Sequence, residues 1–329
     1  MSPLAAWGIV LSLITAFFIG LFMVPRRYTK SDTVTFLVGM TAGACLGSAI
    51  YWLLSGAPAK VFWGTWAAMI PGANWALGSY AYAWGTERIG LAKATGIKNT
   101  QVVVTTLGGF LMFNNIANTE PVLACLGSAL VVATALVLSA IEHREESVPH
   151  ASLMGYLVPI IASVLYGING LIMNWVINSG ISLPQMNVMT GVGSVLCAFV
   201  IYVVAKRRVN VLAECSLKEH ALAVLGGVIW AAGLISMILS IAYAGLAVAW
   251  SLMNLSVVVG VLYGVIILRE MDTRSRRWHV TAGLLLACLG IAALYLAKRI
   301  PPDSIIHFAK HPSTAAAYYA SLLRRAVSG

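Results

Sequence analysis

Charged residues are scarce in this chain. Only 10% of its 329 residues are Asp, Glu, Lys or Arg, whereas ordinary soluble domains have about 25%. No hydrophilic stretch is long enough to form a second domain. Because 60% of the residues are hydrophobic, the chain has more apolar surface than the core of a soluble protein can bury. The composition therefore excludes a water-soluble globular protein.

Sequence patterns for catalysis and metal binding are also missing. The five cysteines are odd in number and have no CxxC spacing, so they indicate neither a disulfide framework nor a metal site. The chain has no P-loop, no dinucleotide fingerprint and no spacing that would combine a nucleophile with a base. We expect no enzyme activity, no catalytic residue, no metal and no cofactor.

The chain instead contains ten long apolar segments. Each has about the 20 residues that a bilayer-spanning helix requires. They lie near residues 4–24, 33–54, 61–84, 89–113, 119–141, 152–178, 184–205, 218–243, 246–268 and 276–297. The prediction is an all-α integral membrane protein with ten transmembrane helices, which crosses the cell (inner) membrane many times.

The net charge of +10 is explained by this topology. The basic residues cluster in loops beside helix ends, where charges set orientation and meet anionic lipid headgroups. We therefore expect contact with membrane lipid and none with nucleic acid. The polar, basic tail at 300–329 is either disordered or includes a short interfacial helix at 315–327.

Two parts of the sequence resemble each other. Residues 74–115 align without a gap on 229–270, and 13 of the 42 positions are identical. The matches include Trp75 with Trp230 and Asn99 with Asn254, which a shared apolar bias does not place in register. We infer a duplication, with one five-helix repeat at 1–148 and a second at 149–299.

Five spans in each repeat place the second repeat in the membrane with the opposite orientation. Two inverted halves around a midplane site are common in secondary carriers, which alternately expose that site to either side. The prediction is a secondary transporter of a small-molecule substrate. A scaffold assembled by duplication is the alternative from a different class.

Acidic residues are missing from the interiors of the predicted spans. A charge inside the membrane is costly and marks a functional site by default. All eleven acidic residues, and all six histidines, fall in predicted loops, at helix ends or in the tail. This counts against cation export by proton exchange, and it leaves a coupling proton or cation open.

Lys98 lies near the centre of the predicted fourth span. A continuous helix would place Lys98, Gln101 and Thr105 on one face, with Asn99 beside them. Lys98 either contacts an anionic or polyhydroxy substrate or donates to the last carbonyls of a broken helix; alternatively, it pairs with a loop acid such as Glu87. The second repeat has Met253 at the matching position, so the two halves differ in charge there.

The remaining candidate substrate-binding residues are amides and aromatics. Asn99 and Asn254 form a matched pair of amides that can bind sugar hydroxyls, or join helices by hydrogen bonds. Trp75 and Trp230 are matched aromatic residues that suit stacking on a sugar ring, although most membrane tryptophans are packing or belt residues. The weaker candidates are Asn74, Tyr82 and Asn169.

Several motifs resemble a known transporter family. The segments at 74–78, 89–93, 227–230 and 266–270 look like those of the glucose/ribose porters of the drug/metabolite transporter superfamily. The start, at 22–30, is similar to that of the neighbouring rhamnose–proton symporters. The resemblance implies a five-plus-five inverted fold and uptake of a monosaccharide.

The chain departs from the family pattern at two positions. Lys93 matches a lysine of the sugar porters and Glu270 retains an acid that ends a helix, but Asn115 replaces the corresponding acid in the first half. Lys98 replaces a small polar residue, so a sugar acid or other organic anion stays open beside a neutral sugar. The predicted function is transport of a sugar or related small polar metabolite by alternating access. Export of an amino acid or organic anion is the alternative.

Overall fold

The computed structural model describes residues 3–89, 94, 97–113, 119–139, 153–266 and 273–300. In these ranges the regular secondary structure is entirely helical. The helices are α1 Pro3–Leu21, α2 Thr33–Ser55, α3 Trp63–Ala67, α4 Met69–Ile89, α5 Gln101–Phe113, α6 Pro121–Ser139, α7 Leu153–Ile177, α8 Leu183–Lys206, α9 Leu217–Ala244, α10 Leu246–Met253, α11 Ser256–Ile266 and α12 Thr273–Arg299. Two 3₁₀ turns lie at Val24–Tyr28 and Val211–Ala213.

Seven of the described helices are long and apolar enough to cross a membrane. They correspond to the predicted spans one, two, five, six, seven, eight and ten. Large apolar side chains point outward from them and from α5, as at Leu54 (83% exposed) and Leu111 (86% exposed). Such an exterior suits a hydrocarbon environment, in which outward-facing apolar groups carry no cost.

The other three predicted spans differ from simple apolar rods. The third is divided at Ala68 into α3 and α4. Helix α4 ends at Ile89, beyond the predicted end at residue 84, and its last turn includes Thr86, Glu87 and Arg88. The ninth is divided into α10 and α11. In the fourth, residues 97–99 are helical and Thr100 separates them from α5. These three spans contain most of the polar residues that the sequence singled out.

Local sequence sets several helix boundaries. Asp32 caps the start of α2 by accepting hydrogen bonds from the backbone N–H groups of Val34 and Thr35, which satisfies two orphan donors of the first turn. The side chains of Ser216 and Glu219 form a capping box at the start of α9. Gly245 separates α9 from α10 with φ of +80°, a left-handed conformation that residues with a Cβ atom rarely adopt.

Several contacts between helices of the two parts of the chain occur in corresponding pairs. Helix α2 packs on α9 as α8 packs on α4, and α1 packs on α9 as α7 packs on α4. Likewise, α1 contacts α10 and α11, and α7 contacts α5. Two pairs, α2 with α8 and α6 with α12, join helices at corresponding places in the two parts of the chain, and α5 also contacts α10.

Glycines allow two of these matched contacts to be close. A Cβ atom at Gly20 in α1 would lie 2.5 Å from Val259 Cβ in α11. A Cβ atom at Gly170 in α7 would lie 2.6 Å from Thr105 Cγ2 in α5. Small residues let membrane helices approach in this way, so a glycine allows one close helix crossing in each of the two parts of the chain.

Candidate functional site

Trp75 in α4 and Trp230 in α9 stack on each other. Their ring centroids are 4.1 Å apart and the planes are inclined by 30°. The two side chains are only 7% and 3% exposed, and they belong to one contiguous buried cluster that also includes Trp250 and Met253. In this conformation one face of each indole is covered by the other, so each ring has at most one face left for a ligand.

The fourth and ninth predicted spans are interrupted at aligned positions. At Thr100 the N–H donates to the carbonyl of Ile97, at 3.1 Å, and at Leu255 the N–H donates to Leu252, at 3.1 Å. These bonds connect residues three apart, where an α-helix would connect residues four apart. The break near Thr100 falls between Lys98 and Gln101, so the single continuous helical face that we expected for them is not formed.

The matched amides, Asn99 and Asn254, have different surroundings. Asn254 accepts a hydrogen bond from Gln101 Nε2, at 2.5 Å, and its own Nδ2 donates to the carbonyl of Trp250, at 2.7 Å. Asn99 is 1% exposed, and neither polar atom of its side chain has a hydrogen-bond partner. Buried polar groups are normally paired, so Asn99 has unused hydrogen-bonding capacity in this conformation.

Lys98 lies between two tyrosines. Its Nζ atom is 5.4 Å from the ring centroid of Tyr82 and 5.8 Å from that of Tyr166. Within the described part of the chain, no carboxylate lies within ion-pair distance of Lys98. A lysine at the centre of a membrane helix costs about 2.5–3.5 kcal/mol on insertion scales, and a cation–π contact returns about 0.5–2 kcal/mol. The two rings therefore offset a large part of the cost, but they supply no negative charge.

The weaker candidates surround this region. Asn74 Nδ2 donates to the carbonyl of Leu165, at 2.6 Å, which joins α4 to α7. Asn169 Nδ2 approaches the sulfur of Met173 at 3.9 Å, and its Oδ1 atom is buried without a partner. Lys93, Asn115 and Glu270, which carried part of the family resemblance, lie outside the described residues.

Three features of the region were not expected from the sequence. Tyr166 contacts Lys98, and its hydroxyl is 2.8 Å from Ser79 Oγ. Trp250 has a buried indole N–H without a partner. Ser128 and Ser251 are hydrogen-bonded at 2.7 Å between α6 and α10. The alignment of the two repeats gave no signal for Tyr166, because Tyr166 lies in α7, outside the aligned residues 74–115 and 229–270.

Charged side chains join the α1–α2 and α8–α9 connections. Lys206 Nζ is 3.0 Å from Asp32 Oδ2 and 3.5 Å from Glu214 Oε2. The backbone N–H of Lys30 donates to Glu219 Oε1, at 3.0 Å. Partial burial alone would raise the pKa of Asp32, but hydrogen bonds from Thr35 and Lys206 outweigh this effect and hold that pKa below its ordinary value. We call this set of contacts the ion-pair closure.

Uncharged groups join the two parts of the chain at the opposite helix ends. Gln185 Nε2 donates to the carbonyl of Lys60, at 2.6 Å, and Gln185 Oε1 accepts from the N–H of the same residue, at 3.2 Å. The rings of Trp63 and Trp175 are 5.1 Å apart beside it. We call these contacts the amide closure.

Among the described residues, no group of three or more His, Cys, Asp or Glu is arranged to hold a metal ion.

Known proteins match nearly the whole helical region. Residues 10–297 match the family model described as "Sugar transport protein". A protein of Listeria innocua named "Putative sugar uptake protein" is 29% identical over 303 residues, which cover 90% of this chain and 96% of the relative. The "Probable glucose uptake protein" of Priestia megaterium is 25% identical over 246 residues, covering 70% of this chain and 78% of the relative.

A solved structure shares the fold. It is a crystal structure of a protein whose function its description does not state, and it aligns with a TM-score of 0.71 at 13% sequence identity. The alignment covers 89% of this chain and 98% of the other. At this identity the likeness shows the fold alone.

Proposed function

The chain belongs to the sugar transport protein family and is a multi-pass membrane transporter of sugar, and we propose that it works by alternating access between two inverted five-helix halves. The first half is 1–148 and the second is 149–299. This is the plan of the drug/metabolite transporter superfamily, which the sequence resembles, and the proposal includes membership of it. We place the protein in the cell (inner) membrane.

The matched helix contacts support the two halves. In an inverted repeat, the contact of α2 with α9 must have a counterpart between α8 and α4, as observed. Along α2 and α9, Gly39 faces Ala223 and Gly47 faces Ala231, so these helices run parallel. Helix α1 runs antiparallel to α9, because Gly8 faces Ala244 whereas Ile19 faces Gly233. These directions are those of chains that cross the membrane alternately ten times.

The observation that carries the site is the pair of aligned helix breaks. Discontinuous helices form the midplane sites of many secondary carriers, because their ends provide unpaired backbone groups and dipoles. Here the breaks lie near Thr100 and Leu255, and Gln101 and Asn254 join the broken segments across the halves. We propose that the substrate binds here, against Trp75 and Trp230, with the amide of Asn99 free to bind a hydroxyl.

The two closures support alternation. The ion-pair closure and the amide closure join the halves at opposite ends of the helices, which suits a conformation closed on both sides. In alternating access each closure opens in turn, as one half moves against the other around the central site. The coupling ion is not identified; the described carboxylates, Asp32, Glu120, Glu214 and Glu219, all lie at helix ends.

Uptake by purified protein tests the proposal. The full chain is reconstituted in proteoliposomes and labelled hexoses, pentoses and sugar acids are offered with and without a proton or sodium gradient. We expect saturable uptake of at least one sugar, competition by close analogues, and counterflow when unlabelled sugar is trapped inside. Counterflow requires a site that faces each side in turn, so saturable uptake without counterflow would contradict alternating access.

A further inference from the structure

Lys98 breaks the symmetry of the candidate site. Its counterpart in the second half, Met253, is 7% exposed and belongs to the apolar cluster around Trp75 and Trp230. Lys98 is partly exposed, and its ammonium lies between the rings of Tyr82 and Tyr166. The position is therefore apolar in one half of the site and cationic in the other.

The charge of Lys98 is not balanced within the described ranges. Aromatic faces attract a cation but carry no negative charge, and no described carboxylate is within ion-pair distance. The hydroxyl of Tyr166 is already engaged with Ser79. A cation in this setting is stabilised by an anion that approaches it closely. The described residues supply none, which leaves Lys98 available to an anionic group of the substrate.

Asn99, the next residue in the chain, has unused hydrogen-bonding capacity. Both polar atoms of its side chain are buried and unpaired, so the amide can donate one hydrogen bond and accept another. A ligand that carries an anionic group and neighbouring hydroxyls would satisfy Lys98 and Asn99 together. A single lysine matches one negative charge better than it matches the double charge of a phosphate.

We propose that Lys98 and Asn99 form an anionic subsite that selects monosaccharide acids, with the substrate carboxylate on Lys98 and a ring hydroxyl on Asn99. This inference rests on the proposed function, because it assigns the substrate class of the same site. The tyrosine rings hold the ammonium in place when the site is empty, and the carboxylate replaces part of that attraction when the substrate binds. No covalent step is involved.

Competition in proteoliposomes tests the subsite. The probes are glucuronate and glucuronamide, which differ in charge and hardly in shape, together with glucose and glucose 6-phosphate. In the native protein we expect glucuronate to compete for uptake at concentrations at least tenfold lower than glucuronamide does. Lys98→Met, which copies the residue of the other half, should remove this preference.

Control variants separate the subsite from general effects of charge. Lys218→Met removes an exposed lysine at the start of α9 and should leave the preference unchanged, while Lys98→Arg should retain most of it. If Lys98→Met does not give monodisperse protein, Lys98→Gln replaces it, because it removes the charge and keeps a polar side chain. Measurement of the native protein decides the preference by itself.

The outcomes distinguish two failures. Uptake of neutral sugars without a preference for glucuronate over glucuronamide overturns the subsite and leaves the sugar transporter intact. A preference that survives Lys98→Met and Lys98→Gln also overturns it, as does stronger competition by glucose 6-phosphate than by glucuronate. The absence of saturable uptake of every sugar, neutral or acidic, would instead overturn the proposed function.

Discussion

Trp75 and Trp230 occupy aligned positions of the two repeats and contact each other face to face, at 4.1 Å between ring centroids. Residues related by a two-fold axis can touch only close to that axis. The stacked pair therefore lies where the axis of an inverted repeat would pass, between α4 and α9. A substrate bound at the proposed central site would therefore lie close to these rings.

The tryptophan pair should show energetic coupling. We expect Trp75→Ala and Trp230→Ala each to destabilise the protein, and the double variant to lose about 0.5–1.5 kcal/mol less than the sum of the two. The reason is that either single change already removes the ring contact. Unfolding free energies measured in detergent micelles check this, and strictly additive losses would show that the contact contributes nothing.

The two matched asparagines should differ in their effect on stability. Asn254→Ala leaves the Gln101 amide without its acceptor, so we expect a loss of about 1–3 kcal/mol. Asn99→Ala breaks no hydrogen bond and removes a buried, unpaired amide, so it should destabilise the protein less than Asn254→Ala does. Both variants should weaken sugar competition. A thermal-unfolding series with and without sugar checks the contrast, and a large stability loss in Asn99→Ala would refute it.

The glycines at one close crossing should also differ. Gly20→Ala places a methyl group 2.5 Å from Val259 Cβ, and overpacking of this kind costs about 1–3 kcal/mol. Gly260→Ala, in the facing helix, meets only the carbonyl of Gly20, at 3.6 Å, and serves as the matched control. We expect a lower unfolding temperature for the first variant only. Equal effects would mean that α1 and α11 are farther apart than described.

The ion-pair closure should be insensitive to pH in the physiological range. The native pKa of Asp32 lies below its ordinary value of 3.8, so the stabilisation is present above pH 3.8 and is lost as the pH falls through the lower, native value. Between pH 5 and 8 it stays constant. Asp32→Asn should therefore have the same effect at every pH in that window.

Cysteine labelling checks this prediction. In a background without the native cysteines, Ser31→Cys reports opening at that end, because Ser31 is 8% exposed. Asp32→Asn should raise its maleimide labelling rate about 1.5- to 5-fold, since a half-exposed pair contributes about 0.2–1 kcal/mol. Gln185→Ala, in the opposite closure, should not raise it. Labelling that rises steeply between pH 7 and 5 would contradict the assignment.

The sequence predicted the helices well where their chemistry is simple. Seven predicted spans are confirmed as continuous apolar helices, because length and hydropathy alone decide such elements. The internal alignment also paired Trp75 with Trp230, which contact each other. An alignment of repeats identifies equivalent residues, and those that lie close to a two-fold axis can contact each other.

The positions of the helix breaks could not be predicted. Neither Thr100 nor Leu255 is a glycine or proline, so neither residue by itself marks a helix break. The breaks are associated with a contact between distant parts of the chain, because Gln101 beside one break donates a hydrogen bond to Asn254 beside the other. The sequence could not predict the unequal hydrogen bonding of Asn99 and Asn254 either, because identical residues at aligned positions have different neighbours in the fold. The inverted repeat and the substrate site stay predictions.

The two closures respond differently to dissolved salt. Ionic strength screens the attraction between Lys206 and Asp32, which are 30% and 40% exposed, over a Debye length of about 8 Å at 0.15 M. The bonds between Gln185 and the backbone of Lys60 carry no net charge and are hardly affected. Salt on one side of the membrane would thus bias the resting orientation of the carrier, and salt on the other would not.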